Sequence, residues 1–152
     1  MSLELTCPDC EDGARIPTEY TCQGKDIHPP LAFKGVPKNA ASLAVSMHDP
    51  DSPNGNWVHW LVWNLPPDTA FLEKGFVPES AVVGLNSWGA NEYGGPCPLE
   101  GRHRYIFTLY ALDAMLHLEE FGDIADFKQA IKNHVLEQAE LVGFYEKRSD
   151  IQ

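Results

Sequence analysis

Two short segments of the chain concentrate side chains that can hold a small polar ligand. The first runs from Asp49-Pro50-Asp51-Ser52-Pro53 into Trp57-Val58-His59-Trp60, and the second from Tyr93-Gly94-Gly95-Pro96-Cys97-Pro98 into His103-Arg104-Tyr105. They combine imidazoles, carboxylates, a phenol and proline-stiffened turns, which is the composition of a small rigid site. The sequence therefore predicts that the two segments form the walls of one pocket.

Each of these residues also has an ordinary structural explanation. A lone histidine in an apolar strand is more often a hydrogen-bonded core residue, and Asp-Pro-Asp is more often a turn that caps its own backbone. The combination favours a site, because both segments place a histidine at the start of a strand that follows a loop of Gly and Pro. Gly94-Gly95 permits close backbone approach, and an exposed N–H at Gly95 would suit an anionic oxygen.

Short strands are the elements that must position these residues. Residues 43–47, 58–63 and 105–112 are short runs rich in β-branched and aromatic side chains, and 12 Gly and 12 Pro punctuate the chain. The sequence therefore predicts a mostly β fold in one domain over residues 1–152.

The rest of the chain gives weaker signals. Residues 68–92 lack a clear period, so we expect an irregular segment there. Apolar residues at helical spacing after Asp123, which can cap a helix, predict one helix near 123–138. A final strand is expected within residues 139–147.

Alternation along the first strand predicts where His59 points. Over residues 57–64 it groups His59 with Trp57 on one face and places Trp60 on the other. Both faces are apolar, which is typical of a strand buried on both sides. Because His59 lies near the start of this strand, beside the Asp-Pro-Asp turn, we expect an aspartate as its partner.

The second strand carries three polar residues at its start. Alternation turns His103 and Tyr105 to the same side, where we expect both to line the pocket. Arg104 points the opposite way, and we interpret it as a structural ion-pair partner for a carboxylate.

Composition and charge exclude several classes of protein. Asp and Glu number 22 against 11 Lys and Arg, and the net charge of −11 opposes binding to nucleic acid or to anionic lipid surfaces. No apolar run approaches the roughly 20 residues that cross a bilayer, so stable membrane insertion is not expected. The start, Met1-Ser2-Leu3, has neither a basic nor an apolar leader region, which predicts a cytoplasmic protein, or a periplasmic one if a signal peptide has been removed.

The four cysteines leave alternatives open. Cys7-Pro8-Asp9-Cys10 is a C-x-x-C motif, but the turn-forming residues that follow it argue against a thioredoxin-like redox site, which needs a strand-to-helix turn. A zinc site would need Cys7, Cys10 and Cys22 with His28 or Cys97. A disulfide and ordinary thiols are the other two interpretations.

These segments closely resemble the phosphatidylethanolamine-binding protein family, also called Raf-kinase-inhibitor-like, in its bacterial and archaeal branch. The matching segments span nearly the whole chain: Tyr20-Thr21-Cys22-Gln23-Gly24, Asp49 to Pro53, Trp57 to Trp60, Tyr93 to Pro98, His103-Arg104-Tyr105 with Phe107 to Asp113, and His134-Val135-Leu136 with Glu140 to Gly143. Their order and spacing together are highly specific.

The resemblance implies a β-sandwich with short flanking helices and one cavity that holds phosphate-like or carboxylate groups. By motif position the ligand-binding residues are Asp49, Asp51, His59, Gly95, Pro96, His103 and Tyr105, with Pro53 and Trp57 at the rim. His28 stands where relatives of this branch usually carry Ser, and we expect this bulkier, titratable group to reshape the mouth of the cavity.

The predicted function is accordingly a noncatalytic module that binds small anionic ligands such as a phospholipid head group, without a cofactor. A kinase or protease as a regulated partner, and a homodimer, are left open. Because an aspartate beside a phosphate is repulsive by several kcal/mol, we hypothesise that His59 becomes an imidazolium or that Asp49 shares a proton with the ligand. Gly95 N–H and Tyr105 O–H would then donate to the anion.

Three rival functions are weighed against this one. A hydrolase lacks a convincing nucleophile, because Ser52 and Ser87 have no G-x-S-x-G context and Cys97 lies between two prolines. A metal site built from the pocket aspartates and histidines is weakened because alternation turns His48 away from Asp49. A protease inhibitor or interaction scaffold would act through an exposed loop and would not need His59.

Overall fold

Two antiparallel β-sheets and one helix make up the computed structural model, which describes residues 2–149. The smaller sheet contains β1 (Glu4–Thr6), β2 (Leu31–Lys34) and β5 (Phe71–Leu72), in the order β1-β2-β5. The larger contains β3 (Ser42–Asp49), β4 (Trp57–Leu65), β6 (Val82–Val83), β7 (His103–Leu112) and β8 (Val135–Tyr145), in the order β6-β4-β3-β7-β8. The predicted mostly β fold is confirmed. Met1 and residues 150–152, the ends of the predicted domain, lie outside the described residues.

Two apolar clusters cover the two faces of the larger sheet. The first joins side chains of both sheets, such as Phe33 of β2 and Met47 of β3, and forms the core between them. The second lies on the outer face, where Trp63 stacks on Phe127 of the helix α1 (Ile124–Ile131), with ring centroids 6.0 Å apart. Strands β3, β4 and β7 are therefore buried on both sides, as their composition predicts.

A β-bulge interrupts β4 at His59. Met47 pairs with Trp60 and the next residue, His48, pairs with Val58, so His59 is an extra residue on its strand. A bulge of this kind turns two successive side chains toward the same side of the sheet. The predicted alternation was wrong at this point: Trp60 belongs to the inter-sheet core and the His59 ring contacts Tyr105 of that core, while Val58 belongs to the outer cluster.

The predicted helix is present but shorter than the range 123–138. Asp123 caps it through a capping box with Asp126, as expected, and α1 ends at Ile131. Asn133 adopts a left-handed conformation with φ 68°, and the chain then enters β8 at Val135. Backbone pairing with β7 along the whole of β8 outweighs the helical spacing of the apolar residues. No helix in residues 2–149 is long and apolar enough to span a membrane.

The irregular segment expected at 68–92 is interrupted by the two-residue strands β5 and β6. Its end is fixed by Asn86, whose Oδ1 accepts the N–H groups of Trp88 at 2.9 Å and Ala90 at 3.0 Å. The amide of Asn86 donates to the Glu92 carbonyl at 2.8 Å. These bonds hold Trp88 beside the start of β4.

Candidate ligand-binding site

A cavity of about 740 Å³ opens where β3 ends and β4 and β7 begin. Asp49 enters it from β3, and the two imidazoles enter it from different strands, His59 from β4 and His103 from β7. The Gly94-Gly95 loop forms the part of the wall beside His59. The predicted juxtaposition of the two segments is thus confirmed, whereas their role as ligand contacts stays a prediction.

Asp49 is buried and both of its oxygens accept hydrogen bonds. Oδ1 accepts the backbone N–H of Asp51 at 2.8 Å, and Oδ2 lies 2.6 Å from Nδ1 of His103. The carboxylate is 3% exposed, so these two bonds replace the water that it loses on folding. Nδ1 of His103 is bound to Asp49, so the other ring nitrogen, Nε2, is the atom with which this histidine can bind a ligand.

His59 is hydrogen-bonded to the backbone and, among residues 2–149, to no carboxylate. Its Nδ1 donates to the Gly94 carbonyl at 2.6 Å, so the expectation that an aspartate would bind it was wrong. The ring lies edge-on between Trp88 and Tyr105, with centroid distances of 5.0 and 5.2 Å. Burial is the main reason that the pKa of His59 is lowered, and this favours a neutral imidazole at neutral pH.

Tyr105 forms the floor of the cavity between the two histidines. Its side chain is fully buried, and its ring stacks on His103 at 6.4 Å. Burial raises the pKa of Tyr105, and the charges of Asp49 and Asp51 raise it further. The phenol therefore keeps its proton and remains a hydrogen-bond donor throughout the physiological range.

The Gly95 backbone is already engaged by a residue that the sequence analysis did not select. Gly95 N–H donates to Oδ1 of Asp26 at 2.7 Å, so it is not the exposed anion donor that we predicted. A Cβ on Gly95 would lie 2.5 Å from both that oxygen and the Tyr20 carbonyl, so only glycine fits here. Asp26 lines the cavity, and its position in a turn after Gly24-Lys25 gave no signal of this contact.

Asp51 lies outside the cavity lining, contrary to its predicted ligand role. Its oxygens accept hydrogen bonds from the Arg104 guanidinium at 2.8 and 3.0 Å and from the Arg104 backbone N–H at 2.9 Å. These hydrogen bonds lower the pKa of Asp51 to about 2. The interpretation of Arg104 as a structural ion-pair partner is confirmed, and this pair fixes the turn after β3 to the start of β7.

His28 and Pro96 are also placed differently from their prediction. His28 does not reach the mouth of the cavity: it is buried, stacks on Trp60 at 4.6 Å, and its ring nitrogens contact the Pro29 and Phe76 carbonyls at 2.9 and 3.0 Å. Pro96 is buried behind the wall, where its carbonyl accepts the Cys22 N–H at 3.2 Å. Both support the site from outside.

The cysteines resolve into one disulfide and two thiols. Cys22 and Cys97 are bonded to each other and line the cavity, while Cys7 and Cys10 are free. The four-ligand zinc site considered above is therefore not assembled. The disulfide ties the loop that carries Asp26 to the loop that carries Gly95.

Comparison with known proteins now adds a decisive observation. A family model described as phosphatidylethanolamine-binding protein matches residues 6–146. The chain belongs to this family. The bacterial and archaeal branch is also confirmed, because the chain is 46% identical to a UPF0098 protein of Methanothermobacter thermautotrophicus over 90% of this chain and 93% of that one. A UPF0098 protein of Chlamydia pneumoniae is 46% identical over 95% of this chain and 99% of that one.

Solved structures confirm the family's β-sandwich. A crystal structure of a putative phosphatidylethanolamine-binding protein homolog from Chlamydia trachomatis has a TM-score of 0.93 and 41% identity, covering 97% of this chain and 99% of that one. Escherichia coli YbcL, described as a new member of the mammalian family, has a TM-score of 0.91 and 27% identity, covering 97% and 100%.

The mouth of this family member's cavity is partly apolar. Pro53 and Trp57 lie on its lining, as predicted, and Trp57 meets Trp88 edge-to-face at 5.5 Å. Trp88 is 52% exposed and Leu99 is 86% exposed. Trp88 and Leu99 were not predicted as lining residues, because single apolar residues in irregular loops carry no periodic signal.

The described part of this phosphatidylethanolamine-binding protein family member has no serine or cysteine hydrogen-bonded to either cavity imidazole. The Ser52 hydroxyl accepts the Asn54 N–H, and the Ser87 hydroxyl accepts the Val58 N–H. Within residues 2–149 no three His, Cys, Asp or Glu side chains are arranged to hold a metal ion. His48 lines a separate recess with Tyr110 and Lys128, as the predicted alternation requires.

Proposed function

We propose that the chain is a noncatalytic binding module for small ligands that carry a phosphate or carboxylate, and that the cavity at the end of β3, β4 and β7 is its site. One observation carries the proposal: Asp49 holds His103 by Nδ1 in a recess that also contains the Tyr105 phenol and His59. The Tyr105 phenol can donate to an oxyanion as it stands, and the His103 imidazole can do so from Nε2 when it carries both ring protons. His59 lines the recess with its Nδ1 proton already bound to Gly94.

The charge of the site decides how an anion can enter. The protein carries a net charge of −11, and carboxylates of Asp26, Asp49 and Glu92 line the cavity. Two like charges 4 Å apart repel by about 4 kcal/mol at an effective dielectric constant of 20. Binding must therefore bring a compensating positive charge into the recess.

We place this positive charge on His103. When His103 takes up a proton as the anion binds, Nδ1–H stays on Asp49 and Nε2–H donates to the ligand, so the imidazolium lies between two negative groups. His59 is less suited than we first hypothesised, because burial lowers its pKa. Gly95 N–H is not a donor to the ligand, because it already donates to Asp26, whereas Tyr105 O–H is.

Two further carboxylates in the cavity favour a ligand with a cationic end. Asp26 and Glu92 line the cavity, and Trp88 and Leu99 add apolar surface at the mouth. A phosphoethanolamine head group combines a phosphate with an ammonium group, so the carboxylates as well as His103 gain a partner of opposite charge. We expect it to bind more tightly than inorganic phosphate.

Calorimetry with the two ligands tests the proposal. We expect the affinity for inorganic phosphate and for phosphoethanolamine to fall as the pH rises from mildly acidic to mildly alkaline, by up to about tenfold per pH unit for one linked proton. Proton uptake is measured by repeating the titration in buffers of different ionisation enthalpy. An affinity independent of pH, with no proton taken up, would contradict the proposal.

A second hydrogen-bonded His–Asp pair, on the surface, provides the control. His134 lies 2.8 Å from Asp113 on the exposed surface, outside the cavity lining. We expect His103→Gln to abolish measurable phosphate binding and His134→Gln to leave it unchanged. Equal binding by both variants would show that the ligand binds elsewhere.

A regulated protein partner is the second candidate, and exposed Leu99 at the mouth favours it. We propose that a kinase or protease would contact this loop. Such a partner would lose affinity on Leu99→Ser and keep it on His103→Gln, as a pull-down with both variants would measure.

A further inference from the structure

Cys7 and Cys10, the C-x-x-C cysteines, lie in a hydrogen-bonded turn directly after β1. Cys10 N–H donates to the Cys7 carbonyl at 3.3 Å. A turn closed in this way brings its first and last Cα atoms to within about 7 Å, which includes the separation that a disulfide spans. Both cysteines are buried, at 7% and 6% exposure, whereas Pro8 and Asp9 between them are exposed.

The two thiols are unequal because of their hydrogen bonds. The Cys7 thiol donates to Oδ1 of Asp9 at 3.2 Å, and the Cys10 thiol approaches the Arg15 carbonyl at 3.9 Å. Interaction with the Cys10 side chain, burial and the bond to Asp9 raise the pKa of Cys7, whereas interaction with the Cys7 side chain lowers the pKa of Cys10. Because the Asp9 carboxylate holds the Cys7 proton, Cys10 is the thiol that loses its proton first and is the nucleophile of the pair.

We propose that Cys7 and Cys10 form a thiol–disulfide exchange site that takes a low-molecular-weight disulfide as its oxidant. The Cys10 thiolate attacks one sulfur of that disulfide, a mixed disulfide forms on Cys10, and one thiolate of the small molecule leaves. Cys7 then gives up its proton to solvent and attacks the Cys10 sulfur, and the second thiolate leaves. Two protein thiols are oxidised while one small disulfide is reduced to two thiols.

The exchange site is distinct from the ligand cavity. Neither Cys7 nor Cys10 lines the cavity, whose own Cys22–Cys97 pair is already oxidised. The turn residues that follow the motif predicted that it would have no redox chemistry. In the structure the motif itself is the turn, and that turn is what brings the two cysteines together.

Oxidised glutathione serves as the probe. The folded protein is incubated with it, quenched with acid, unfolded and alkylated, and then analysed by mass spectrometry. We expect the two free thiols to be lost without retained glutathione, with a mass decrease of two hydrogen atoms and a Cys7–Cys10 peptide link. The variant pair C22S/C97S is expected to give the same Cys7–Cys10 link, which excludes exchange with the cavity disulfide.

Single variants test the order of attack. Cys7→Ser should trap glutathione on Cys10, whereas Cys10→Ser should form an adduct on Cys7 at least about tenfold more slowly, because the Asp9 carboxylate still holds the Cys7 proton. Two free thiols in the wild-type protein, under conditions that join them in the urea-unfolded chain, would overturn the proposal. A glutathione adduct that persists on the wild type would overturn it as well.

Discussion

His103 and Asp49 form a 2.6 Å hydrogen bond from Nδ1 to Oδ2, although 54 residues separate them in the chain. Asp49 is the last residue of β3 and His103 the first residue of β7, and these two strands are neighbours in the larger sheet. His134 and Asp113 repeat the same contact at 2.8 Å in an exposed setting. One chain thus contains a buried and an exposed version of a single interaction, which allows burial to be tested separately from chemistry.

Removing the buried carboxylate should cost much more stability than removing the exposed one. Asp49→Ala removes the charged acceptor of two part-buried hydrogen bonds, from Nδ1 of His103 and from the Asp51 N–H, and a hydrogen bond to a charged group contributes about 1.5–3 kcal/mol. We expect a loss of about 3 kcal/mol in the free energy of unfolding, measured with urea. Asp113→Ala should lose less than about 1 kcal/mol; equal losses would show that burial does not matter.

Gly95 should not tolerate a side chain. Alanine would place Cβ 2.5 Å from Oδ1 of Asp26 and from the Tyr20 carbonyl, and overpacking of this kind costs about 1–3 kcal/mol. We expect Gly95→Ala to lower the urea midpoint and to weaken phosphoethanolamine binding by displacing Asp26. Gly101→Ala is the comparison, because its Cβ meets no atom within 4 Å and only the backbone strain of φ +78° remains. Retained binding in Gly95→Ala would argue against a role for this loop.

Acidification should destabilise the fold below neutral pH. Burial is the main cause that lowers the pKa values of His28, His48 and His59 below 6.5. As the pH falls through about 6.5, the unfolded chain therefore takes up protons before the folded chain does. The free energy of unfolding becomes smaller as the pH is lowered through this window. We expect a urea midpoint that is constant above neutral pH and falls below it.

Two histidine variants test the source of this slope. His28→Gln removes one buried titrating group, so its midpoint should decline less steeply on acidification. The same change at His48, whose pKa burial also lowers, should reduce the slope as well. A wild-type midpoint that does not change between neutral and mildly acidic pH would contradict the argument.

The cavity disulfide should contribute to both stability and binding. Cys22 and Cys97 are 75 residues apart, and closing a loop of this length stabilises a fold by about 4 kcal/mol in the chain-entropy description. We expect the variant pair C22S/C97S to lose about this amount in urea unfolding and to bind phosphate more weakly, since both positions line the cavity. Unchanged affinity would mean that the loops hold their positions without the bond.

Strand patterns and turn residues predicted the framework of the fold and the meeting of its two polar segments. Apolar β-branched runs located β3, β4 and β7, and the histidines at two strand starts indicated the recess. These features are local, so they can be recognised in the chain itself. The end of α1 could not be predicted, because pairing of β8 with β7 is a tertiary interaction.

The partners within the site were the least predictable part. His59 was expected to bind an aspartate, and Gly95 N–H was expected to be exposed; both find their partners across loops that carry no periodic pattern. The direction of His59 depended on a bulge, which a count of alternating residues cannot reveal. Such contacts are decided by how the loops close over the sheet, and sequence spacing does not record this.

The bulge also separates what β4 needs for folding from what it supplies to the cavity. Because Met47–Trp60 and His48–Val58 pair on either side of His59, the hydrogen-bonded ladder is continuous on β3 and the histidine is a one-residue insertion on β4. A deletion of His59 would leave those partners in register and would remove a single imidazole. The cavity therefore depends on the number of residues in β4 as well as on their types. A relative with one residue fewer at this point would keep the sandwich, but its recess would lack this imidazole.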